Sequence, residues 1–176
     1  NYVFEPGSIF KSVAFSYLHN SDKLDRNRLI DTSKKITIGK YTYSDTKYYG
    51  TLTVDEVFTH SSNIGMTQLI RNENNNKQSF YDFLIKSGFG DKTGIYGASE
   101  EAGIIKPVSA WSKTSLTSMA IGYEVLVTPL QVVRFYGALA NNGIMVNPKI
   151  ISKIVRGNEI AIPEHVETQV LSKETA

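Results

Sequence analysis

At 176 residues, with 41% hydrophobic and 20% charged side chains, the chain has the size and composition of one globular domain rather than of a disordered or fibrous segment. Its 19 basic and 17 acidic residues leave a net charge of +2, and the basic residues are scattered, which excludes the electrostatic footprint of a nucleic-acid partner. The absence of cysteine removes disulfides, thiolate nucleophiles and cysteine-based zinc sites. No apolar run reaches the ~20 residues of a membrane span and no signal peptide is present, so any anchor is expected outside this chain.

Glu5-Pro6-Gly7 reads as a turn that delivers Ser8. Beyond it Ile9, Phe10, Val13, Ala14, Tyr17 and Leu18 recur at three- and four-residue intervals, which predicts a helix opened by Ser8 with one buried face. Lys11, three residues on, projects from nearly the same face as Ser8. Residues 20–34 are polar and predict loop, whereas Ile36, Ile38, Tyr41 and Tyr43 alternate with polar residues as a half-exposed strand or hairpin does. Thr53 and Glu56 form a capping box for a helix carrying Leu52, Val54, Val57 and Phe58, and after Ser61-Ser62-Asn63 the stretch Ile64 to Ile70 is helical again.

Residues 71–77 predict a solvated loop, and Ser79 begins a helix that Gly88 terminates. Gly88, Gly90, Gly94 and Gly97 predict loop with turns over 88–110, followed by helix around Thr114 to Ile121. Residues 128–143 carry the strongest helix signal: a Thr128 cap, Pro129 at the first helical position, Gln131 closing the box and an Asn-Gly stop. Residues 144–155 read as strand or extended connection, and the tail is ambiguous.

A serine hydroxyl is a poor nucleophile until a base takes its proton, and a lysine serves when desolvation or nearby cations lower its pKa. Ser8 and Lys11 have the types and spacing for this. A second match, Ser44 and Lys47, falls in a polar region where the lysine is solvated and protonated, so it is expected to lie away from any site. Ser61-Ser62-Asn63 supports two readings: a helix-to-helix corner whose small polar side chains satisfy freed backbone groups, or a catalytic element in which Ser61 relays a proton and Asn63 holds substrate or the lysine. Lys92-Thr93-Gly94 lies among glycines with no alternating apolar run beside it and does not read as a strand edge. His19, His60 and His165 are not spaced as a metal set, and Trp111 reads as packing.

Together, "EPGSIFK", "SSN", "FGDKTGI" and "SMAIGYEVLVTPLQVVRFYGALANNGIMVNPKI" resemble the transpeptidase domain of class B penicillin-binding proteins over roughly residues 2 to 150. The "SSN" triplet and "EEAGIIKPVSAWS" are most similar to the division-specific septal type, with the elongation type the closer alternative. The resemblance implies an α+β fold of which residues 1–176 are the helix-rich central part, the central sheet incomplete. The membrane anchor, the pedestal and the family's Lys-Thr-Gly strand are expected outside these residues. It further implies Ser8 as acylated nucleophile, Lys11 as its base, Ser61 as proton relay and Asn63 as a contact for substrate and lysine, and these four polar groups are expected to converge within one hydrogen-bonded cluster.

The implied reaction is peptidoglycan D,D-transpeptidation without metal or organic cofactor, at the bacterial inner membrane with the catalytic domain in the periplasm. Stem peptides ending in D-Ala-D-Ala, β-lactams and membrane proteins of the division machinery are the implied partners. Two other classes share the motifs: a β-lactamase or carboxypeptidase, for which Glu100 and Glu101 are the carboxylates to consider, and a non-catalytic β-lactam sensor. Gly122-Tyr123-Glu124 departs from the Gly-Tyr-Gly often found in the family, which puts the backbone there in question.

Overall fold

The computed structural model describes residues 2–21, 24–71, 76–95 and 99–176. Residues 72–75 of the expected solvated loop and Gly97 lie outside the described residues.

A 3-10 turn, Gly7–Phe10, runs into helix α1, Lys11–Asn20. The turn closes through the Lys11 N–H donating to the Ser8 carbonyl. Phe10, Val13, Ala14, Tyr17 and Leu18 are buried as the periodicity requires, but Ile9 is 45% exposed. A 3-10 turn advances 120° per residue rather than 100°, so a residue in the first turn leaves the face that α-periodicity assigns it.

Four short strands and a helix follow. Strand β1 (Leu29–Asp31) lies in the stretch expected to be loop and pairs antiparallel with β4 (Thr51–Thr53), Ile30 opposite Leu52. Strands β2 (Ile36–Ile38) and β3 (Tyr41–Tyr43) make the expected hairpin, with Ile38 and Tyr43 buried. Thr53 caps α2 (Val54–Thr59) with the full capping box to Glu56, while Leu52 belongs to β4 rather than to the helix.

Helix α3 (Asn63–Arg71) is followed by α4 (Lys77–Lys86), which is capped by Asn76 and begins at Lys77, two residues before the expected Ser79. A 3-10 turn at Val108–Ala110, then α5 (Ser115–Ala120) and α6 (Pro129–Ala140), complete the helical set. Beyond α6, β5 (Ile144–Val146) pairs with β8 (Glu167–Gln169), and β6 (Ile154–Arg156) with β7 (Glu159–Ala161). All four sheets among the described residues are two-stranded and antiparallel.

Helix α1 is the hub: α2, α3, α4 and α5 all pack on it. The Phe10 ring meets Phe89 edge-on at 5.0 Å, and Tyr17 meets Phe80 at 5.0 Å while its hydroxyl lies 2.6 Å from Ser79 Oγ. Aromatic pairs of this geometry fix orientation as well as burying area. Trp111 packs against Phe80 and Tyr81 and donates its indole N–H to the Lys106 carbonyl, as expected of a packing residue. The segment ahead of α1 is pinned to distant chain: Phe4 and Val127 exchange two backbone hydrogen bonds at 3.0 Å, and Gly7 N–H donates to Gly122 O at 3.0 Å.

Candidate active site

The turn ahead of α1 leaves Ser8 exposed while Lys11, one turn on, is 3% exposed. A lysine amine that deep in apolar surroundings must find partners, since an unpaired buried charge is costly. Lys11 Nζ donates to the Ser61 carbonyl at 2.5 Å and to Ser61 Oγ at 3.0 Å. Burial pushes the Lys11 pKa down from 10.5 to about 8, with the Asp45 charge opposing the fall. Near neutrality the amine therefore reaches its uncharged form far more readily than a surface lysine.

Ser61-Ser62-Asn63 is the corner between α2 and α3, and Ser61 sits there at φ +54°, a conformation unusual for a side chain with a Cβ. Ser62 Oγ caps α3 by accepting the Gly65 N–H at 2.8 Å and itself donates to Asp45 Oδ2 at 2.6 Å. Asp45 Oδ1 accepts the backbone N–H groups of Asn63 (2.5 Å) and Ile64 (3.0 Å). The Asn63 side-chain amide donates to the Ser44 carbonyl at 3.0 Å. The corner is thus a helix cap, and it also brings Ser61 Oγ to Lys11 Nζ.

Two expectations need correction. The Ser44–Lys47 segment does not lie away from the site, because the Ser44 carbonyl and the Asp45 carboxylate hold the corner, although Lys47 itself is exposed. The four polar groups do not form one closed hydrogen-bonded cluster either: among the described residues Lys11 and Ser61 are joined directly, Asn63 is turned onto Ser44, and the Ser8 hydroxyl bonds to neither Lys11 nor Ser61. Asp45 was missed because its partners are 17 to 19 residues away, beyond any local spacing rule.

A cleft of about 440 Å³ opens beside the corner, bounded by Tyr41, Tyr43, Ser44, Asn63, Tyr123 and Glu124. Its far wall is the turn whose conformation was in question. Gly122 has φ +86° and Glu124 φ +59°, so the third position keeps a left-handed backbone without a glycine. Glu124 is held there by its own N–H donating to Glu5 Oε1 at 2.9 Å and by Ser115 Oγ donating to Glu124 Oε2 at 2.7 Å. Two other concavities, one beside Arg134 between α6 and β5 and one on the β6–β7 hairpin, contain none of Ser8, Lys11, Ser61 or Asn63.

Lys92-Thr93-Gly94 is irregular loop, as its composition indicates. The Glu100 carboxylate accepts from Thr93 N–H (3.1 Å), Gly94 N–H (2.8 Å), Ile95 N–H (3.2 Å) and the Thr93 hydroxyl, so those backbone donors are engaged within the loop. His60 stacks on Tyr49, His19 meets Thr175 and His165 meets Glu167; no group of three or more His, Cys, Asp or Glu able to hold a metal occurs among the described residues. No helix of the described residues is long and apolar enough to cross a membrane.

The sequence and the fold are similar to those of known proteins. The chain is 32% identical over 98% of its length to PbpB, a penicillin-binding protein of Mycobacterium tuberculosis, and 28% identical over 86% to the peptidoglycan D,D-transpeptidase FtsI of Buchnera aphidicola. It spans 26% of each of those relatives. Its fold matches penicillin-binding protein 3 of M. tuberculosis in complex with ampicillin, with TM-score 0.88 and 31% identity over 98% of this chain and 39% of that one. A peptidoglycan glycosyltransferase of Burkholderia ambifaria matches with TM-score 0.84 and 28% identity over 98% of this chain and 52% of that one. The family model for the penicillin-binding protein transpeptidase domain matches residues 1–176 throughout, so a buried lysine beside a serine at the Ser-x-Asn corner, on this α+β frame, places the chain in the penicillin-binding protein transpeptidase family.

Proposed function

We propose that this chain carries the acylation machinery of a peptidoglycan D,D-transpeptidase, with Ser8 as nucleophile, Lys11 as base, Ser61 as proton relay and Asn63 as a substrate contact. The observation that carries the reading is Lys11: a lysine 3% exposed, with its pKa lowered to about 8, one turn from an exposed serine and bonded to a second serine hydroxyl. An uncharged Lys11 amine accepts the Ser8 proton as Ser8 Oγ attacks the penultimate D-Ala carbonyl of a stem peptide. The Ser8 backbone N–H, in the first turn and free of an intrahelical acceptor, is positioned to donate to the developing oxyanion.

Collapse of the tetrahedral intermediate breaks the peptide bond, and the proton returns through Lys11 and Ser61 to the departing amine of the terminal D-Ala. The Ser8 ester then passes to an amine of a neighbouring stem, and Ser8 regains its proton as the new amide forms. The cleft lined by Asn63, Tyr43 and Tyr123, with Asn63 as its link to the corner, has room for a peptide segment. A β-lactam follows the same path and stalls as the acyl-enzyme, since its leaving group stays tethered. The similarity to FtsI and to two PbpB relatives favours a septal role, with membrane proteins of the division machinery as partners and the catalytic domain in the periplasm.

Rapid hydrolysis of the ester is disfavoured by Glu100, whose carboxylate is committed to Thr93, Gly94 and Ile95 rather than free to activate water. Intact-protein mass spectrometry of the whole protein with penicillin tests the reading. A lasting adduct of one penicillin that disappears in Ser8→Ala is expected; an adduct that survives the substitution, or none in the wild type, overturns it.

A further inference from the structure

We infer that Asp45 is a positioning residue of the acylation site, its carboxylate seating the Ser61–Asn63 corner against Lys11; this rests on the transpeptidase reading above. Three observations converge on it. One carboxylate accepts from Ser62 Oγ, Asn63 N–H and Ile64 N–H, so the corner is tied to the chain just beyond β3 rather than only to its own helices. Ser61, directly ahead of those bonds, has φ +54°, which persists only where the surroundings over-determine it. Both bonds that Lys11 makes at the corner go to Ser61, one to its carbonyl and one to its hydroxyl, so a shift of the corner moves both at once.

Asp45 also acts through its charge. It is the charged group whose field bears on Lys11, and it favours the protonated amine against the burial that favours the neutral one. The other charged groups on elements packed around α1 are engaged elsewhere or lie on exposed surface. Asp55 pairs with Arg26, Glu56 closes the Thr53 capping box, and Lys77 donates to the Ser112 carbonyl. Asp82 accepts from Gln78, Arg71 and Lys86 are exposed at the ends of α3 and α4, His60 stacks on Tyr49, and α5 carries no charged side chain. Asp45 therefore couples the geometry of the relay to the basicity of the lysine.

The two effects separate experimentally. Asp45→Asn keeps the size of the side chain but removes its charge and turns one acceptor oxygen into a donor, which loosens the corner, makes protonation of Lys11 harder and moves the rise of acylation rate with pH to lower pH. Ser62→Ala keeps the charge and removes the two bonds of the Ser62 hydroxyl, to Asp45 and from Gly65 N–H, so the rate falls while the midpoint stays. The experiment is the acylation rate of the whole protein by a fluorescent penicillin between about pH 6 and 10, with thermal unfolding of each variant alongside.

For Asp45→Asn a plateau rate lower by about tenfold or more is expected, within what a displacement of about 1 Å costs, together with an acid-shifted midpoint. A wild-type rate and midpoint, or a loss equal at every pH that only tracks lowered thermal stability, overturns the proposal. Titration of Lys11 followed by NMR of ¹³C-labelled lysine, with Lys11→Arg to assign the resonance, keeps the test independent of activity. A Lys11 midpoint unmoved by Asp45→Asn overturns the inference even if labelling is absent, whereas absent wild-type labelling with a moved midpoint overturns the transpeptidase reading alone.

Discussion

Gly7 and Gly122 meet backbone to backbone. Gly7 N–H donates to Gly122 O at 3.0 Å, and a Cβ on Gly122 would fall 2.0 Å from Gly7 O, with Gly122 itself at φ +86°. The turn that presents Ser8 is therefore shaped by a residue more than a hundred positions away in sequence, between Ile121 and Tyr123 of the cleft lining.

Gly122→Ala forces a backbone clash that no rotamer relieves and adds left-handed strain of about 1–3 kcal/mol. The expected outcome is a lowered unfolding midpoint together with a loss of penicillin acylation well beyond what the stability change explains, because the displaced atoms carry Ser8, the proposed nucleophile. Gly137→Ala, on an exposed face of α6 with nothing within 4 Å of the added Cβ, is the matched control. It is expected to stabilise by about 0.5–1 kcal/mol through helix propensity. Thermal unfolding and labelling of both variants check the pair, and equal effects at the two positions would contradict the close-contact account.

Gln131 closes the α6 capping box and does more than cap. Its Oε1 accepts the Thr128 N–H at 2.8 Å, while its Nε2 donates to the carbonyls of Asp91 (2.6 Å) and Ala102 (2.8 Å), tying both ends of the glycine-rich loop to the helix start. The residue is 1% exposed, so Gln131→Ala leaves buried backbone groups without partners. A loss of about 2–4 kcal/mol is expected from a few such groups at 1–3 kcal/mol each with partial relaxation. Gln131→Glu should be worse than Ala, since a carboxylate would face two carbonyl oxygens. Denaturant unfolding of the two variants measures the order.

Where the chemistry is local, it was legible before the structure. Ser8 and Lys11 lie one turn apart across the join of the 3-10 turn and α1, and the capping boxes at Thr53–Glu56 and Thr128–Gln131 form as their spacing requires. What escaped is non-local or too short to leave a pattern. Strand β1 is three residues with one buried, which is no alternation, and it exists because Ile30 pairs with Leu52 across 22 positions. Asp45 carries no motif, and the neighbouring Ser44 and Lys47 drew notice to the wrong atoms of the right segment. The left-handed Glu124 was not readable either, because its stability comes from Glu5 and Ser115, contacts created only by the fold.

The Tyr136 hydroxyl braces the Ser8 turn and the start of α1 from α6, donating at 2.9 Å to the Ile9 carbonyl and lying 2.8 Å from Ser12 Oγ. Tyr136→Phe removes both contacts without changing the ring. On a partly exposed surface the expected cost is about 0.5–1.5 kcal/mol of stability, with a slower acylation rate from a looser Ser8 turn. Unchanged acylation kinetics in a variant with lowered stability would show that the brace supports the fold without tuning the site.

Lys11 makes two predictions of opposite kind from one property. Its pKa is lowered to about 8 by burial, so acylation should rise with pH through that value as the neutral amine forms, and Lys11→Arg should lose labelling by about two to four orders of magnitude because a guanidinium stays protonated. Lys47→Arg, on an exposed lysine, should change little. Stability follows the proton balance. Between about pH 8 and the ordinary value of 10.5 the unfolded chain holds a proton on Lys11 that the folded chain has released, so the unfolded state binds more protons and unfolding free energy increases with pH across that window. Below about pH 8 the folded protein carries the full cost of a buried ammonium. Denaturant unfolding of wild type and Lys11→Met from about pH 7 to 11 reads this directly: the wild type should gain stability relative to the variant as pH rises through the window. A constant difference between the two proteins across that range would mean that Lys11 keeps an ordinary pKa, and the base assignment would lose its physical ground.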